Sequence, residues 1–214
     1  MKIIDEEELK ADKVLSDLKK HLYNDGLIIY PTDTLYGIGY NFFSVNAQIK
    51  LDLLKNRNNI PYSVAVSNIE MISNLTSQSL KQFKLFNKIY PYSKMTYLFK
   101  LKDNIDIKLV KGSNLIGIRI PNKESVKILI DFLKFPITTT SVNFSGSPPL
   151  NSSDEIKKMI EQTEFSDDII LVDGGKLPLS TGSTIIDFSG KKIKIIRRGD
   201  DYDKAKKFIN DLRQ

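Results

Sequence analysis

Short apolar segments alternate with longer amphipathic segments along most of the 214 residues of this chain. The short segments are rich in β-branched and aromatic residues and end at turn-forming residues, as strands do. We predict strands at residues 27–30, 62–66, 95–101, 116–120, 137–140 and 169–172, and a hairpin of 183–188 with 192–197. The helices that we predict between them are 5–24, one that begins at the cap Ser44, 78–90, 122–135, 154–163 and 201–212. This alternation predicts an α/β fold with a mixed sheet in one domain.

The chain has no cysteine and a single histidine, His21. Disulfides, zinc–thiolate sites and thiol catalysis are therefore excluded, and a catalytic triad would need His21 itself. His21 lies beside the apolar stripe of the first predicted helix, which is typical of a structural histidine. The acidic N-terminus differs from a signal peptide, and the longest apolar runs are too short to span a bilayer. We therefore expect a cytoplasmic protein without a membrane segment.

The formal net charge of +6 suits contact with anions such as a nucleotide, pyrophosphate or nucleic acid, and equally suits a solvated lysine surface. Arginine is used sparingly, at five of the 32 basic positions. Four of these arginines fall in polar segments rather than on helix faces: Arg57, Arg119, Arg197 and Arg198. Because guanidinium can bind carboxylate or phosphate through two parallel hydrogen bonds, their placement indicates anion binding.

Four segments place hydroxyl, amide or cationic side chains at the end of a strand or helix. They are PTDTLYGIG at residues 31–39, Lys55-Asn56-Arg57, SVNFSG at residues 141–146, and Ser183-Thr184 with Arg197-Arg198-Gly199 on the partner strand of the same hairpin. Open α/β sheets bind ligands at the carboxyl ends of their strands, so these segments are candidates for a site. Taken singly, the first and third also suit turns, and the second suits a solvated helix end.

Neither a P-loop nor a GxGxxG motif is present in the sequence, so a nucleotide would have to be bound by other means. The motifs PTDTLYG, KxR, GIRIP, TSVNFSG, STIID and IRRG nevertheless occur in one order between Leu27 and Gly199. This ordered set resembles the YrdC-like family of threonylcarbamoyl-AMP synthases. The resemblance implies a twisted mixed (parallel and antiparallel) sheet with flanking helices, whose positively charged concave face binds ATP and L-threonine.

The resemblance also implies roles for individual residues. The expected threonine-binding residues are Thr32, Thr34, Tyr36, Arg119, Ser141 and Ser183. The expected ATP-binding residues are Lys55, Arg57, Asn143, Asn151 and Arg197. Lys55 and Arg57 are also the expected catalytic residues, because the KxR motif faces the nucleotide phosphates. The chain departs from the family between Arg57 and Pro61, where it is one residue shorter, so the role of residues 58–60 is left open.

The implied reaction converts L-threonine, bicarbonate and ATP into threonylcarbamoyl-AMP and pyrophosphate, for the threonylcarbamoyladenosine modification of tRNA. We expect Mg²⁺ to be held mainly by ATP oxygens, because the sequence has no evident carboxylate cluster and no metal-binding residue is predicted. The expected partner is a downstream tRNA threonylcarbamoyl transferase complex, with weak or indirect binding of tRNA itself. Longer relatives carry a second C-terminal domain, whereas here we expect one domain over residues 1–214.

Two alternatives belong to other functional classes. One is a non-catalytic RNA-binding module of the same fold, which the positive net charge would suit. The sequence lacks the interleaved aromatic and basic residues that stack bases, which argues against this alternative. The other is a carbamoyl-transfer domain like that of hydrogenase-maturation proteins, which in those proteins accompanies zinc-finger and acylphosphatase-like modules.

Overall fold

The computed structural model of the chain describes residues 1–57, 59–90, 94–143 and 147–212. Residue 58, which follows Lys55-Asn56-Arg57, and residues 144–146, which belong to the segment at 141–146, lie outside the described residues. The helices are α1 Asp12–Tyr23, α2 Val45–Lys55, α3 Ile69–Leu75, α4 Leu80–Ile89, α5 Glu124–Leu133, α6 Ser153–Ile160 and α7 Tyr202–Asp211. Short 3₁₀ helices lie at Glu6–Lys10, Ile107–Val110 and Ser166–Asp168. Within the described ranges, no helix is long and apolar enough to cross a membrane.

The strands form one mixed sheet. They are β1 Lys2–Asp5, β2 Leu27–Pro31, β3 Tyr36–Gly39, β4 Ser63–Ala65, β5 Thr76–Ser77, β6 Met95–Leu101, β7 Leu115–Arg119, β8 Ile137–Ser141, β9 Ile169–Asp173, β10 Thr184–Asp187 and β11 Lys194–Arg197. In the described part of the chain their order is β1-β9-β2-β3-β8-β4-β7-β6-β10-β11, with β5 paired to β6. Parallel and antiparallel pairs both occur, for example β4 with β7 and β7 with β6. The predicted α/β class with a mixed sheet is confirmed.

The alternation of side chains along β2 shows how helices cover both faces of the sheet. Ile28 and Tyr30 pack in one buried cluster with α1 and α5. Leu27 and Ile29 point to the opposite face and pack in a second cluster with α2 and α6. A third cluster joins β6, β7 and β10 to helices α3, α4 and α7. Fully burying each large apolar side chain contributes roughly 1.5–3 kcal/mol to folding.

The N-terminal prediction of one helix over residues 5–24 was wrong. Residues 2–5 form β1, which pairs in parallel with β9, and α1 begins only at Asp12. Asp5 ends the strand and caps the 3₁₀ helix, because its side chain accepts from the backbone N–H of Glu7 while Glu8 closes a capping box. The local acidic residues therefore stabilise a short 3₁₀ helix rather than the start of α1.

Other differences are smaller. Strand β3 and helix α3 were not predicted, and Pro31 belongs to β2 instead of following it. The helix predicted over residues 122–135 is α5, which begins only at Glu124; its cap is Lys123, which makes no side-chain capping bond, so Asn122 is not the cap. The cap predicted at Ser44 is confirmed by its hydrogen bond from the backbone N–H of Ala47, at 3.0 Å.

Candidate functional site

A cavity of about 490 Å³ is lined by the β2–β3 connection and by residues of strands β4, β6, β7, β8 and β10. Side-chain hydroxyls are abundant in its wall: Thr32, Thr34, Tyr36, Ser63, Thr96, Ser113, Thr139, Thr140, Ser141, Thr181 and Ser183. Arg57, Arg119 and Arg197 line the same cavity. Guanidinium groups among many hydroxyls suit a polar ligand that carries negative charge.

Threonine hydroxyls build the turn between β2 and β3. Thr32 Oγ1 donates to the carbonyl of Leu35 at 2.7 Å and accepts from the backbone N–H of Thr34 at 3.1 Å. The hydroxyls of Thr32 and Thr34 are 3.2 Å apart, and both side chains are buried in the cavity wall. Thr32 therefore holds the turn, while the Thr34 hydroxyl keeps hydrogen-bonding capacity for a ligand.

The hydroxyl of Tyr36 is engaged within the protein. It donates to the carbonyl of Gly175 at 2.8 Å and accepts from the backbone N–H of Gly174 at 2.9 Å. Burial raises the pKa of Tyr36 to about 12, so the hydroxyl stays neutral at physiological pH. Tyr36 lines the cavity, but the bonds of its hydroxyl fasten β3 to the loop that follows β9.

Arg119, at the end of β7, forms an ion pair with Asp33 of the β2–β3 connection. Arg119 Nη2 is 2.5 Å from Asp33 Oδ1, and each side chain is 8% exposed. Within the described structure, Arg119 Nε and Asp33 Oδ2 are buried without a hydrogen-bond partner. The pair is thus joined by one hydrogen bond rather than two, and the guanidinium retains donors for a second carboxylate.

The two sides of the β10–β11 hairpin meet beside Arg119. Arg197 Nη2 donates to the backbone carbonyl of Ser183 at 2.8 Å, and Ser183 Oγ lies 2.7 Å from Thr96 Oγ1. Burial, with a smaller contribution from the charge of Arg119, lowers the pKa of Arg197. The electrostatic effect of Arg119 on Arg197 is consistent with two cations that face one cavity.

Lys55, at the end of α2, lies behind the cavity wall and is 5% exposed. Its ammonium donates to the carbonyl of Ser141 at 2.9 Å, the carbonyl of Asn143 at 2.7 Å and Asn143 Oδ1 at 2.6 Å. All three donors of Lys55 are thereby used to hold Ser141 at the end of β8 and Asn143 just beyond it. Burial, and then the neighbouring charge of Arg57, lower the pKa of Lys55 to about 8.

Arg57 reaches the cavity just beyond α2. Its Nη1 donates to Thr140 Oγ1 at 3.4 Å, and its Nε is buried without a partner in the part of the chain that the structure describes. The centre of its guanidinium lies 5.3 Å from the ring centroid of Tyr62. Arg57 therefore makes only one long side-chain hydrogen bond to the described residues, and most of its donors remain for a ligand.

Asn151 is the member of the predicted set that lies apart from the others. It lines a surface depression with residues 176–179, and its Nδ2 donates to the carbonyl of Leu177 at 3.0 Å. The structure places the remaining predicted residues in the cavity wall or, for Lys55 and Asn143, directly behind it. The role of Asn151 in ATP binding stays a prediction.

No role was predicted for several residues at the site, among them Asp33, Thr96 and Tyr62. Asp33 stands within the PTDTLYG motif, and Thr96 and Tyr62 stand in predicted strands. A threonine or tyrosine inside an otherwise apolar strand is common in any sheet, so its type alone gives no signal of a site. Their contacts with predicted site residues single them out: Asp33 with Arg119, Thr96 with Ser183, and Tyr62 with Arg57.

The cavity wall does not fit a metal ion held by the protein. Across residues 1–57, 59–90, 94–143 and 147–212, no three His, Cys, Asp or Glu side chains come together as ligands. Asp33 is a carboxylate of this region, and Arg119 already pairs with it. Hard cations such as Mg²⁺ prefer several oxygen ligands, so here they would depend on the oxygens of a bound ligand.

Comparison with known proteins identifies the family of the chain. The model of the Sua5/YciO/YrdC family, described as telomere recombination, matches residues 20–199. A putative threonylcarbamoyl-AMP synthase from Methanocaldococcus jannaschii is 33% identical over 201 residues, which cover 93% of this chain and 92% of that protein.

Solved structures of P. abyssi Sua5 share the fold. A double variant aligns with a TM-score of 0.82 at 22% identity, over 93% of this chain and 57% of that one. The complex with L-threonine aligns with a TM-score of 0.76 at 21% identity, over 88% of this chain and 54% of that one. This chain therefore spans little more than half the length of the P. abyssi protein, and at these identities the likeness shows the fold alone.

The family match extends over residues 20–199, which is most of the chain, and the M. jannaschii relative aligns over nearly its whole length. The chain belongs to the Sua5/YciO/YrdC family.

Proposed function

We propose that this protein is a threonylcarbamoyl-AMP synthase, a nucleotidyltransferase that forms threonylcarbamoyl-AMP and pyrophosphate from L-threonine, bicarbonate and ATP. The name of the M. jannaschii relative supports this activity. The observation that carries the proposal is the convergence of Arg57, Arg119 and Arg197 on one hydroxyl-lined cavity. The surface depression at Asn151, by contrast, has no arginine among the residues that line it.

The reaction needs cations more than it needs a protein nucleophile. The amine of threonine attacks the carbon of bicarbonate and water leaves, which gives a carbamate. A carbamate oxygen then attacks the α-phosphorus of ATP, and pyrophosphate departs with the bonding electron pair. Both reactants of this second step are anions that repel each other, so fixed guanidinium groups lower the barrier by positioning them and neutralising their charge.

The threonine end of the site is assigned to Arg119 and its neighbours. Arg119 retains donors for a carboxylate, and the hydroxyls of Thr34, Ser141 and Ser183 line the same cavity. The L-threonine complex of P. abyssi Sua5, which has the same fold, supports this class of ligand. Thr32 and Tyr36 contribute by fixing the turn and strand that carry Thr34.

The nucleotide end is assigned to Arg57 and Arg197. Arg57 has few partners of its own, which leaves its donors for phosphate oxygens. In the described conformation, Lys55 holds Ser141 and Asn143, so its contribution to catalysis is to fix that wall unless ATP displaces one of its three bonds. Mg²⁺ would enter with ATP, held by phosphate oxygens, and the product would pass to a tRNA threonylcarbamoyl transferase complex.

Pyrophosphate release from ATP tests the proposal. We expect release that depends on both L-threonine and bicarbonate, with label from bicarbonate in threonylcarbamoyl-AMP. Carbamoyl phosphate, supplied without threonine and bicarbonate, serves as the matched arm for the carbamoyl-transfer alternative. Pyrophosphate release with carbamoyl phosphate but not with threonine and bicarbonate would refute the synthase proposal and favour that alternative.

A further inference from the structure

Lys111 combines two features that each disfavour the folded state. Its backbone has φ 53° and ψ 42°, in the left-handed region that favours glycine and asparagine. Its side chain is only 6% exposed, although burying an ammonium is costly unless it is paired. A residue kept in such a conformation next to a functional cavity suggests a function for its side chain.

The ammonium of Lys111 lies in a compact group of polar contacts. Lys111 Nζ is 2.5 Å from Asp52 Oδ1 and 3.4 Å from the carbonyl oxygen of Arg57. It also lies 4.5 Å from the ring centroid of Tyr62, within the range of a cation–π contact. Lys111 therefore connects the turn after the Ile107–Val110 helix to the end of α2 and to the cavity wall.

Tyr62 joins the same group from the other side. Its hydroxyl donates to Asp52 Oδ1 at 2.6 Å, so one carboxylate oxygen accepts from both Tyr62 and Lys111. The ring of Tyr62 contacts the guanidinium of Arg57, whose central carbon is 5.3 Å from the ring centroid. Tyr62 and Arg57 both line the cavity, whereas Asp52 and Lys111 support them from behind.

These contacts hold both the backbone and the guanidinium of Arg57 in place. Its backbone N–H donates to the carbonyl of Asp52 at 3.0 Å, and its carbonyl accepts from Lys111. Its guanidinium rests on the Tyr62 ring and has one long hydrogen bond, to Thr140. The orientation of Arg57 therefore depends on Tyr62, Asp52 and Lys111 rather than on hydrogen bonds that would occupy its own donors.

We propose that Tyr62, Asp52 and Lys111 are positioning residues that hold the guanidinium of Arg57 over the cavity with its donors free for the phosphates of ATP. The proposal rests on the proposed function, because it takes ATP as the ligand of Arg57. It goes further by assigning nucleotide affinity to three residues, two of which do not line the cavity.

The test compares variants that remove one contact each. Lys111→Asn keeps a residue type that tolerates the left-handed backbone and removes the ammonium; Tyr62→Leu removes the ring, and Tyr62→Phe removes only the hydroxyl. Lys134→Asn is the matched control, because Lys134 also has a positive φ, of 64°, but is exposed at the end of α5. Calorimetry measures the Kd for ATP, steady-state kinetics measures KM for ATP and for threonine, and thermal unfolding measures stability.

We expect Lys111→Asn and Tyr62→Leu to raise the Kd for ATP by about tenfold, the effect of losing one hydrogen bond between Arg57 and a charged phosphate. Tyr62→Phe should raise it less, KM for threonine should change little, and Lys134→Asn should change neither. The readout that a merely structural role would not move is a double-mutant cycle with Arg57→Ala. In that background Lys111→Asn should have no further effect on the Kd for ATP, because its effect acts through Arg57.

Additive effects in the cycle, or lowered stability with an unchanged Kd for ATP, would overturn the positioning role. The calorimetric result also separates this inference from the proposed function. If the wild type binds ATP and the double-mutant cycle shows the predicted coupling, but no pyrophosphate is released, the synthase activity is refuted and the positioning of Arg57 is supported. Wild-type protein that binds no ATP would overturn both.

Discussion

Arg119 lines the cavity and pairs with Asp33 beside it, and each of these oppositely charged side chains is 8% exposed. The cost of removing both charges from water largely offsets their attraction, so such a pair adds little net stability. Removing one partner is different, because the other charge then stays buried without compensation. Arg119 should therefore matter for folding as well as for binding threonine, and the two effects can be separated.

We expect Arg119→Met to lower the free energy of unfolding by about 3 kcal/mol, the scale for a buried charge that has lost its partner. Adding Asp33→Asn should restore much of this loss, because the remaining carboxylate charge is removed as well. Urea unfolding at neutral pH measures both variants against the wild type. The expectation fails if the double variant is as unstable as the sum of the two single variants.

Lys55 should make the stability of the protein increase with pH in the alkaline range. Burial lowers the pKa of Lys55 to about 8 from its ordinary 10.5, with Arg57 adding to the shift. Between these values the unfolded chain binds more protons at this site than the folded chain does. The free energy of unfolding should therefore increase as pH rises through this window, and below it the cost of the buried charge is fully present.

Lys55→Met should remove that increase, whereas Lys134→Met, at an exposed position, should retain it. Urea unfolding at about pH 7.5 and about pH 9.5 gives the difference for each protein. Equal pH dependence in the wild type and in Lys55→Met would show that Lys55 titrates normally in the folded state.

The sparing use of arginine was an informative signal at the scale of single residues. Arg57, Arg119 and Arg197 all line the cavity, while Arg198 instead stacks 4.6 Å from the ring centroid of Tyr202. The surroundings of Lys55 could not be predicted, because its oxygen partners lie 86 and 88 residues away along the chain. Its burial depends on how the end of β8 packs against the end of α2.

At the scale of elements, strands with local hydrophobic patterns were predicted well and the others were missed. Strand β6 was predicted with its observed bounds, β8 and β9 each extend one residue beyond their predicted ends, and β7 is shifted by one residue at both ends. Strand β1 has one buried residue in four and is fixed by parallel pairing with the distant β9. Strand β3 contains two glycines in four residues, so its sequence has little strand propensity and its pairing with β2 and β8 decides its structure.

The second glycine of β3, Gly39, tests how closely these strands approach. A Cβ atom added to Gly39 would lie 1.7 Å from the carbonyl oxygen of Thr138 in β8. Because that oxygen belongs to the backbone, the sheet itself would have to shift. We expect Gly39→Ala to lower the free energy of unfolding by about 1–3 kcal/mol or more, because overpacking usually costs this much.

Gly190→Ala is the matched control for this change, because a Cβ atom there meets nothing closer than the carbonyl oxygen of Lys192, at 3.9 Å. It should leave stability almost unchanged. Chemical denaturation of both variants measures the difference. A Gly39→Ala variant as stable as Gly190→Ala would show that β3 and β8 can separate without cost.

At the scale of the whole molecule, the cavity joins segments that run from Thr32 to Arg197. The order of the motifs predicted which of them cooperate, but it carried no information on distances. The structure brings Arg119 to Asp33 over a separation of 86 residues, and Thr96 to Ser183 over 87. Contacts of this kind follow from the sheet order, in which β7 lies between β4 and β6 and β10 lies beside β6.

The net charge of +6 leaves a choice between a catalyst and an RNA-binding module, and salt dependence distinguishes them. A protein that neutralises several phosphates of RNA releases their counterions, so its affinity falls steeply with salt. A synthase needs no such surface, because its small-molecule product is what reaches the tRNA. We therefore expect weak tRNA binding in the wild type, with incorporation of labelled bicarbonate that depends on threonine.

Arg119→Ala should abolish this incorporation. It should leave any residual tRNA binding almost unchanged, because Arg119 is buried in an ion pair and lines the cavity rather than the exposed surface. Both quantities should be measured on one preparation, across a salt series, and with stability checked by thermal unfolding so that a misfolded variant is recognised. The charge-retaining variant Arg119→Lys serves as the control. It keeps the positive charge but loses the planar guanidinium that can bind a carboxylate through two hydrogen bonds, so it should recover only part of the incorporation. Tight tRNA binding with a steep salt dependence, and no incorporation of bicarbonate at any concentration of threonine, would favour the RNA-binding module instead.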